Sequence, residues 1–186
     1  MGSAFLTNQF LIAMPAMDDP NFAQSVTLVC EHNDQGALGI VINKALPMSL
    51  AEVFDQLGLE ASHSRIGRQP VLRGGPVHTD RGFVLHSPQG QWESSLPFSE
   101  RVHLTTSRDI LDALARGEGP DQALVALGYA GWTAGQLEGE MAANAWLTVP
   151  VDDRLVFGTP LEDRWQAACR LLGIDLLHLS SDAGHA

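Results

Sequence analysis

Residues 123–132 limit the fold of this chain more than any other stretch, because they are almost wholly apolar and are interrupted by Gly128 and Gly131. Periodicity alone does not separate a buried strand from a buried helix in such a run. In a helix interior each glycine would cost about 1 kcal/mol relative to alanine. The stretch is therefore predicted to be a strand.

A β-hairpin is predicted nearer the N-terminus. Residues 25–31 alternate and are rich in β-formers, and residues 39–43 are a short β-branched run. Residues 32–36 lie between them and are dense in residues that tolerate turn dihedrals.

The remaining elements are three strands and about four helices. Thr159 to Glu162 give the clearest helix start, with a cap, a proline at the first helical position and a glutamate three residues after the cap. The other strands are predicted at 82–86, 101–105 and 146–149, and the other helices at about 50–57, at about 108–116 and after residues 133–136.

The order of these elements lacks the regular β-α alternation of a doubly wound sheet. A length of 186 residues fits a single domain. We therefore predict one α+β domain over residues 1–186 built on antiparallel sheet, with a core of about residues 5–175 and a frayed tail after them.

The composition restricts the partners of the protein. The formal net charge is −11, which opposes binding to nucleic acid or to an acidic membrane, because both need excess Lys and Arg. The first basic residue is Lys44, so no basic segment precedes the apolar run at residues 10–17 as in a secretory signal. No apolar run is long enough to span a bilayer. A cytoplasmic location is expected, with Cys30 and Cys169 as buried thiols.

The common catalytic and cofactor motifs are missing from the sequence. It contains no Gly-rich phosphate loop, no G-x-S-x-G elbow and no H-E-x-x-H pair. No cofactor and no metal are therefore predicted.

A local excess of positive charge lies at residues 65–81. This segment holds four arginines, Arg73 among them, against a single aspartate. Gly74 and Gly75 follow Arg73 and would let backbone N–H groups turn outward, which together with a guanidinium can bind a carboxylate or phosphate. The alternative is that these arginines pair with acidic residues of the same chain.

Three further residues are candidates for ligand binding. Asn43 ends the second strand of the hairpin, and Trp132 and Asn144 flank the helix predicted between them. Aromatic and amide groups of this kind can line a ligand pocket. They can equally belong to the core, with the indole N–H bonded internally.

An enzymatic alternative rests on acidic and histidine side chains. Glu31 and His32 are adjacent at the predicted turn and could pair as carboxylate and imidazole, the arrangement that orients a general base. His78 and His86 could join them in a hydrolase-like or metal-dependent site. The nucleophile is missing from this cluster and would have to be brought by folding; the possible sources are Ser25, Ser107 and Cys30.

Taken together, these segments resemble the YqgE/AlgH family of bacterial proteins. The resemblance covers about residues 5–175 in order. After Asn43 this chain has Lys44-Ala45 where the family usually shows Arg-Pro, which keeps the charge but loses the bidentate fork and the rigid turn. The matching stretches are residues 10–15, 19–22, 25–26, 31–33, 36–43, 74–77, 82–86, 105–107, 128–132, 135–138 and 144–147.

The resemblance implies an α+β fold whose bifurcated, mostly antiparallel sheet curls into a pseudo-barrel. The family is largely uncharacterised, and its AlgH label refers to regulation of alginate synthesis. We expect a non-catalytic binding or regulatory domain with a site for a small anion or a protein partner. The family label carries transcriptional regulation as an alternative, acting indirectly because no helix combines surface Lys and Arg in a DNA-reading pattern.

Overall fold

Ten strands form one sheet in the computed structural model, which describes residues 5–60 and 65–173. Five α-helices and two 3-10 turns accompany the sheet within these ranges. The strands are β1 (Gln9–Ala13), β2 (Val26–Asn33), β3 (Gly36–Val41), β4 (Ala45–Ser49), β5 (Pro70–Arg73), β6 (Val77–His86), β7 (Ser95–Leu96), β8 (His103–Thr105), β9 (Ala123–Thr133) and β10 (Trp146–Pro150). The helices are α1 (Leu50–Gln56), α2 (Arg108–Ala115), α3 (Gln136–Ala142), α4 (Asp153–Gly158) and α5 (Arg164–Leu171), and the 3-10 turns are Arg65–Arg68 and Leu161–Asp163.

The sheet is mostly antiparallel and curls into a half-barrel, which confirms the predicted fold class. Its strands follow the order β10-β1-β2-β3-β9-β6-β8-β7. Off this path, β5 pairs in parallel with β9 and antiparallel with β4. The predicted hairpin is β2 and β3, which pair antiparallel.

β9 is the strand that joins the two parts of the sheet, so the prediction of a strand over residues 123–132 is confirmed. Residues 130–133 pair with β3, and residues 123–127 pair with β6. Gly128 lies between these two segments with a φ of 80°. This left-handed conformation suits glycine, and it falls where β9 passes from one set of partners to the other.

Gly74 and Gly75 let the chain cross β9 at the same point. The Gly74 N–H donates to the Leu127 carbonyl oxygen at 2.9 Å, and the Gly74 oxygen accepts from the Val41 N–H at 2.8 Å. A Cβ on Gly74 would overlap the Gly128 carbonyl oxygen, and one on Gly75 would overlap the backbone that follows Gly128. These glycines are needed because two backbones touch here.

The buried side chains form three clusters. The first packs around Phe10 and Leu28 and takes in Cys169 of α5. The second lies between the sheet and the helices α1 and α2. The third joins β9 to α3 and β10 around Trp132 and Trp146.

Several elements differ from the sequence prediction. The strands β1, β4, β5 and β7 and the helix α4 were not predicted, and α5 begins at Arg164 rather than at Pro160. The Thr159 hydroxyl donates back to the Arg154 carbonyl of α4 at 3.3 Å, so it does not cap the next helix, and a 3-10 turn follows instead. The predicted frayed tail falls mainly on residues 174–186, outside the described residues.

Candidate functional site

Two cationic residues lie opposite each other, Lys44 directly before β4 and Arg73 at the end of β5. The backbone N–H of Arg73 donates to the Lys44 carbonyl oxygen at 2.8 Å, which brings the two residues together. The Lys44 ammonium donates to the Ala23 carbonyl oxygen at 2.8 Å. The Arg73 guanidinium donates to the Asn21 side-chain oxygen at 3.3 Å. Both cations are therefore held by neutral acceptors.

Within the described part of the chain, this pair is a positive site without a carboxylate partner. Burial lowers the pKa of Lys44, and the charge of Arg73 lowers it further. Over residues 5–60 and 65–173, no carboxylate oxygen lies within 4.0 Å of the charged nitrogens of Lys44, Arg73 or the other arginines of the 65–81 segment. For these residues the alternative of internal ion pairing does not hold within the described chain. Arg81 instead lies over the Phe83 ring.

Asn43 fixes the loop that supplies the neutral acceptors. Its amide nitrogen donates to the Gln24 carbonyl oxygen at 2.8 Å, and its amide oxygen accepts from the Val26 N–H at 2.8 Å. Gln24 has a φ of 56°, an uncommon conformation for a non-glycine residue that these bonds help to hold. Asn43 thus belongs to the same cluster as Arg73, as a support for the loop.

The predicted role of the two glycines needs correction. The Gly74 N–H is already bonded to the Leu127 carbonyl oxygen, and both Gly74 and Gly75 are buried. The expectation that their N–H groups turn outward is wrong for Gly74. Any anion at this place would be bound by the side chains of Lys44 and Arg73.

Trp132 belongs to an aromatic cluster whose two indole N–H groups bind the Glu140 carboxylate. The indole N–H groups of Trp132 and Trp146 donate to the same Glu140 oxygen at 3.1 and 2.9 Å. Phe22 packs against both indoles, with ring centroids 6.2 and 5.6 Å away. These bonds support the core alternative for Trp132. Asn144 is exposed, and with a φ of 60° it ends the turn after α3.

The predicted pairing of Glu31 with His32 does not form. Successive side chains of a strand point to opposite faces, and in β2 Glu31 is exposed while His32 is buried. His32 Nδ1 accepts from the Leu6 N–H at 2.9 Å, so Nε2 carries the proton that it shares with Glu138 at 2.6 Å. His32 therefore ties the N-terminal segment to α3.

The other members of the acidic and histidine cluster lie apart. His78 stacks on Tyr129 with ring centroids 5.8 Å apart. Tyr129 also lines a surface cavity of about 270 Å³ together with Glu31 and Trp132. Within the described part of the chain no group of three or more His, Cys, Asp or Glu could hold a metal ion. This contradicts a metal centre made of Glu31, His32, His78 and His86.

The sequence also proposed three sources for a nucleophile. Cys30 is buried, and burial raises the pKa of its thiol far above the usual range, so it is no thiolate near neutral pH. Ser25 is buried as well, and its hydroxyl has no hydrogen-bond partner among the described residues. The Ser107 hydroxyl donates to Asp109. None of the three contacts an imidazole in the described structure.

Comparison with known proteins decides the family. The family model described as DUF179, AlgH-like, matches residues 10–177. The chain belongs to the AlgH-like family. A UPF0301 protein of Thioalkalivibrio sulfidiphilus is 60% identical over 184 residues, which cover 99% of this chain and 98% of the relative. A UPF0301 protein of Xanthomonas campestris pv. campestris is 53% identical over 181 residues, which cover 97% and 96%.

Two solved structures share the fold. The solution structure of the AlgH protein of Pseudomonas aeruginosa superposes with a TM-score of 0.80 at 49% identity, covering 100% of this chain and 98% of that one. A crystal structure of a Corynebacterium diphtheriae protein has a TM-score of 0.75 at 20% identity, with coverage of 94% and 91%, and supports the fold alone. In the described ranges, every helix is too short or too polar to cross a bilayer.

Proposed function

We propose that this AlgH-like protein is a cytoplasmic binding domain whose site, formed by Lys44 and Arg73, takes a small anion without catalysing a reaction on it. One observation carries the proposal: two adjacent cations are held by the neutral oxygens of Ala23 and Asn21 and have no carboxylate within 4.0 Å in the described chain. An anion would relieve the repulsion between them.

The donors of the site match an oxyanion. Arg73 has five N–H donors in a planar fork, which suits the two oxygens of a carboxylate or phosphate. Lys44 adds a compact point charge beside this fork. The Arg73 side chain is exposed, so an anion can reach it from solvent.

The charge of the whole chain limits what this anion can be. With a formal net charge of −11, a long polyanion such as DNA would meet repulsion over most of the surface. A small molecule, or a single acidic group presented by a protein partner, needs only the local positive site. A regulatory role of the protein would then act through such a ligand rather than through direct nucleic-acid contact.

A phosphate titration followed by two-dimensional NMR tests the proposal. Phosphate should shift the amide signals of Ala23, Lys44 and Gly74 to saturation, and the Arg73→Ala variant should lose these shifts. The matched control is Arg81→Ala, which removes another exposed arginine of the same segment and should leave the shifts intact. Equal shifts in wild type and Arg73→Ala would contradict the proposal.

A further inference from the structure

A chain of three hydrogen-bonding side chains runs from the protein interior to the surface at β6, β8 and β7. His86 is buried, and its Nε2 lies 2.6 Å from the Thr105 hydroxyl oxygen. Thr105 is also buried, and its hydroxyl lies 2.6 Å from that of Ser95. Ser95 is exposed on β7, directly opposite Thr105 in the strand pairing.

The direction of each hydrogen bond follows from the donors available. His86 Nδ1 lies 2.7 Å from the Ser87 carbonyl oxygen, which can only accept, so Nδ1 carries a proton. In the neutral ring Nε2 must then accept, and the Thr105 hydroxyl gives its one proton to it. Thr105 can then only accept from Ser95. The Ser95 proton therefore points inward, and its lone pairs remain for solvent or substrate.

The segment that precedes Ser95 is fixed by two hydrogen bonds from its backbone N–H groups. The Ser94 N–H donates to the Ser107 hydroxyl at 3.0 Å, and the Glu93 N–H donates to the Asp109 carboxylate at 2.9 Å. Both acceptors lie at the start of α2. These bonds hold the Ser95 backbone against β8 before any substrate arrives, as pre-organised catalytic groups require.

We propose that Ser95 is the nucleophile of a second site, independent of the Lys44–Arg73 site, which accepts the acyl group of an activated carboxylic ester. Thr105 relays the Ser95 proton, and His86 is the base that takes it up through Thr105. The nucleophile and the base that acyl transfer requires are thus linked through the Thr105 hydroxyl, by two successive hydrogen bonds. The sequence had offered His86 for an enzyme but no nucleophile beside it.

Ser95, Thr105 and His86 can accept and return every proton that the acyl transfer moves. Ser95 Oγ forms a bond to the carbonyl carbon while its proton passes to Thr105 Oγ1 and the Thr105 proton passes to His86 Nε2. The carbon–oxygen bond of the ester breaks, and the leaving alcohol takes a proton back along the same relay. Water then attacks the acyl group in the same way, releasing a carboxylic acid and restoring Ser95.

The surroundings of His86 favour the neutral ring that the relay needs. Burial lowers the pKa of His86, with the Ser87 carbonyl acting in the opposite direction and His103 adding to the decrease. His103 on β8 is the titratable side chain that faces the ring, with centroids 5.9 Å apart, and Trp92 faces it edge-on at 6.5 Å.

Covalent labelling with an alkyl fluorophosphonate, followed by peptide mass spectrometry, tests the proposal. The probe should modify Ser95, and Ser95→Ala should abolish the modification. Thr105→Val removes the relay hydroxyl at nearly constant volume and should slow labelling about 100-fold, within the range of general-base effects. Thr105→Ser restores a hydroxyl and should recover most of the rate. Ser94→Ala, which removes the neighbouring exposed serine, is the matched control and should label as wild type does.

The pH profile separates a relay from a purely structural role. Protonated His86 cannot accept from Thr105, so the wild-type labelling rate should fall as the pH decreases and His86 becomes protonated. In Thr105→Val the remaining rate should lose this dependence. If Thr105→Val fails to fold, the pH profile of wild-type labelling and the labelling rate of Thr105→Ser test the relay instead. Absence of label on Ser95, a wild-type rate without this fall at low pH, or an unchanged rate in folded Thr105→Val would overturn the proposal.

Discussion

At the scale of single residues, hydrogen-bond partners rather than residue types distinguish the candidate sites. His32 has both ring nitrogens engaged by protein groups that hold the fold together, Leu6 and Glu138. Among residues 5–60 and 65–173, Lys44 and Arg73 are bonded to neutral oxygens alone, which leaves their charges to attract a ligand. A charge that the protein does not neutralise is a better indicator of binding than a histidine with a satisfied ring.

The sequence predicted part of the anion site. Arg73 was found because it lies in a local excess of arginine, and Asn43 because it ends a strand. Lys44 was not predicted as a site residue, because no Gly-rich phosphate loop precedes it. Its approach to Arg73 depends on the pairing of β4 with β5, with Ala45 opposite Leu72. No local sequence pattern predicts a contact between residues 29 positions apart.

His86 should make the stability of the protein depend on pH. Its pKa is lowered in the folded state, so the unfolded chain binds a proton more readily. The stabilising effect is complete above the unfolded-state pKa of about 6.5 and is lost as the pH falls from there toward the folded-state pKa. His103 faces the ring, with ring centroids 5.9 Å apart.

Urea unfolding at a series of pH values between about 5 and 8 measures this effect, because about 6.5 is the reference pKa of histidine. The wild-type free energy of unfolding should decrease as the pH falls, and His86→Gln should show a smaller decrease. His103→Gln serves as the control and should keep most of the wild-type slope. A His86→Gln slope equal to that of wild type would show that another group causes the dependence.

At the scale of elements, most of the predicted strands alternate or contain glycine, and β1, β4, β5 and β7 were not predicted. β1 was missed because all its residues except Gln9 are buried and it lies between β10 and β2, so no polar face appears in its sequence. α4 has six residues, too few to show a helical period. β9 was recognised through its glycines, although the prediction did not include the bend at Gly128.

The bend at Gly128 should be sensitive to substitution. Gly128→Ala places a methyl group against the Gly75 carbonyl oxygen at a φ of 80°, so both the contact and the backbone conformation become unfavourable. The conformation alone costs about 1–2 kcal/mol, and the contact should raise the loss of stability further.

Gly117→Ala is the matched control for this prediction. Its φ is 75°, but no heavy atom lies within 4 Å of the added methyl group. Thermal or urea unfolding should show only the conformational cost of about 1–2 kcal/mol. Equal losses in the two variants would mean that the crossing of Gly75 over β9 is looser than described.

At the scale of the whole molecule, the curled sheet places a positive site on an acidic protein. The fold brings the loop at residues 19–24, the start of β4 and the end of β5 together around Lys44 and Arg73. The fold is shared with the AlgH protein of Pseudomonas aeruginosa at a TM-score of 0.80, and that similarity concerns architecture and family, not a ligand. The charges of Lys44 and Arg73, and not the shared fold, are what favour an anion as the ligand.

The pKa of Lys44 tests the anion site at Lys44 and Arg73 most directly. Lys44 is the only lysine of the chain, so labelling with 13C-lysine gives a single side-chain signal whose pH titration reports its pKa. We predict a pKa below the ordinary value of 10.5, because of burial and then Arg73, and a rise when phosphate is added. Arg73→Ala should raise the pKa only in part, since burial remains. A pKa at or above 10.5 without phosphate, or one that phosphate leaves unchanged, would contradict an anion site at Lys44 and Arg73.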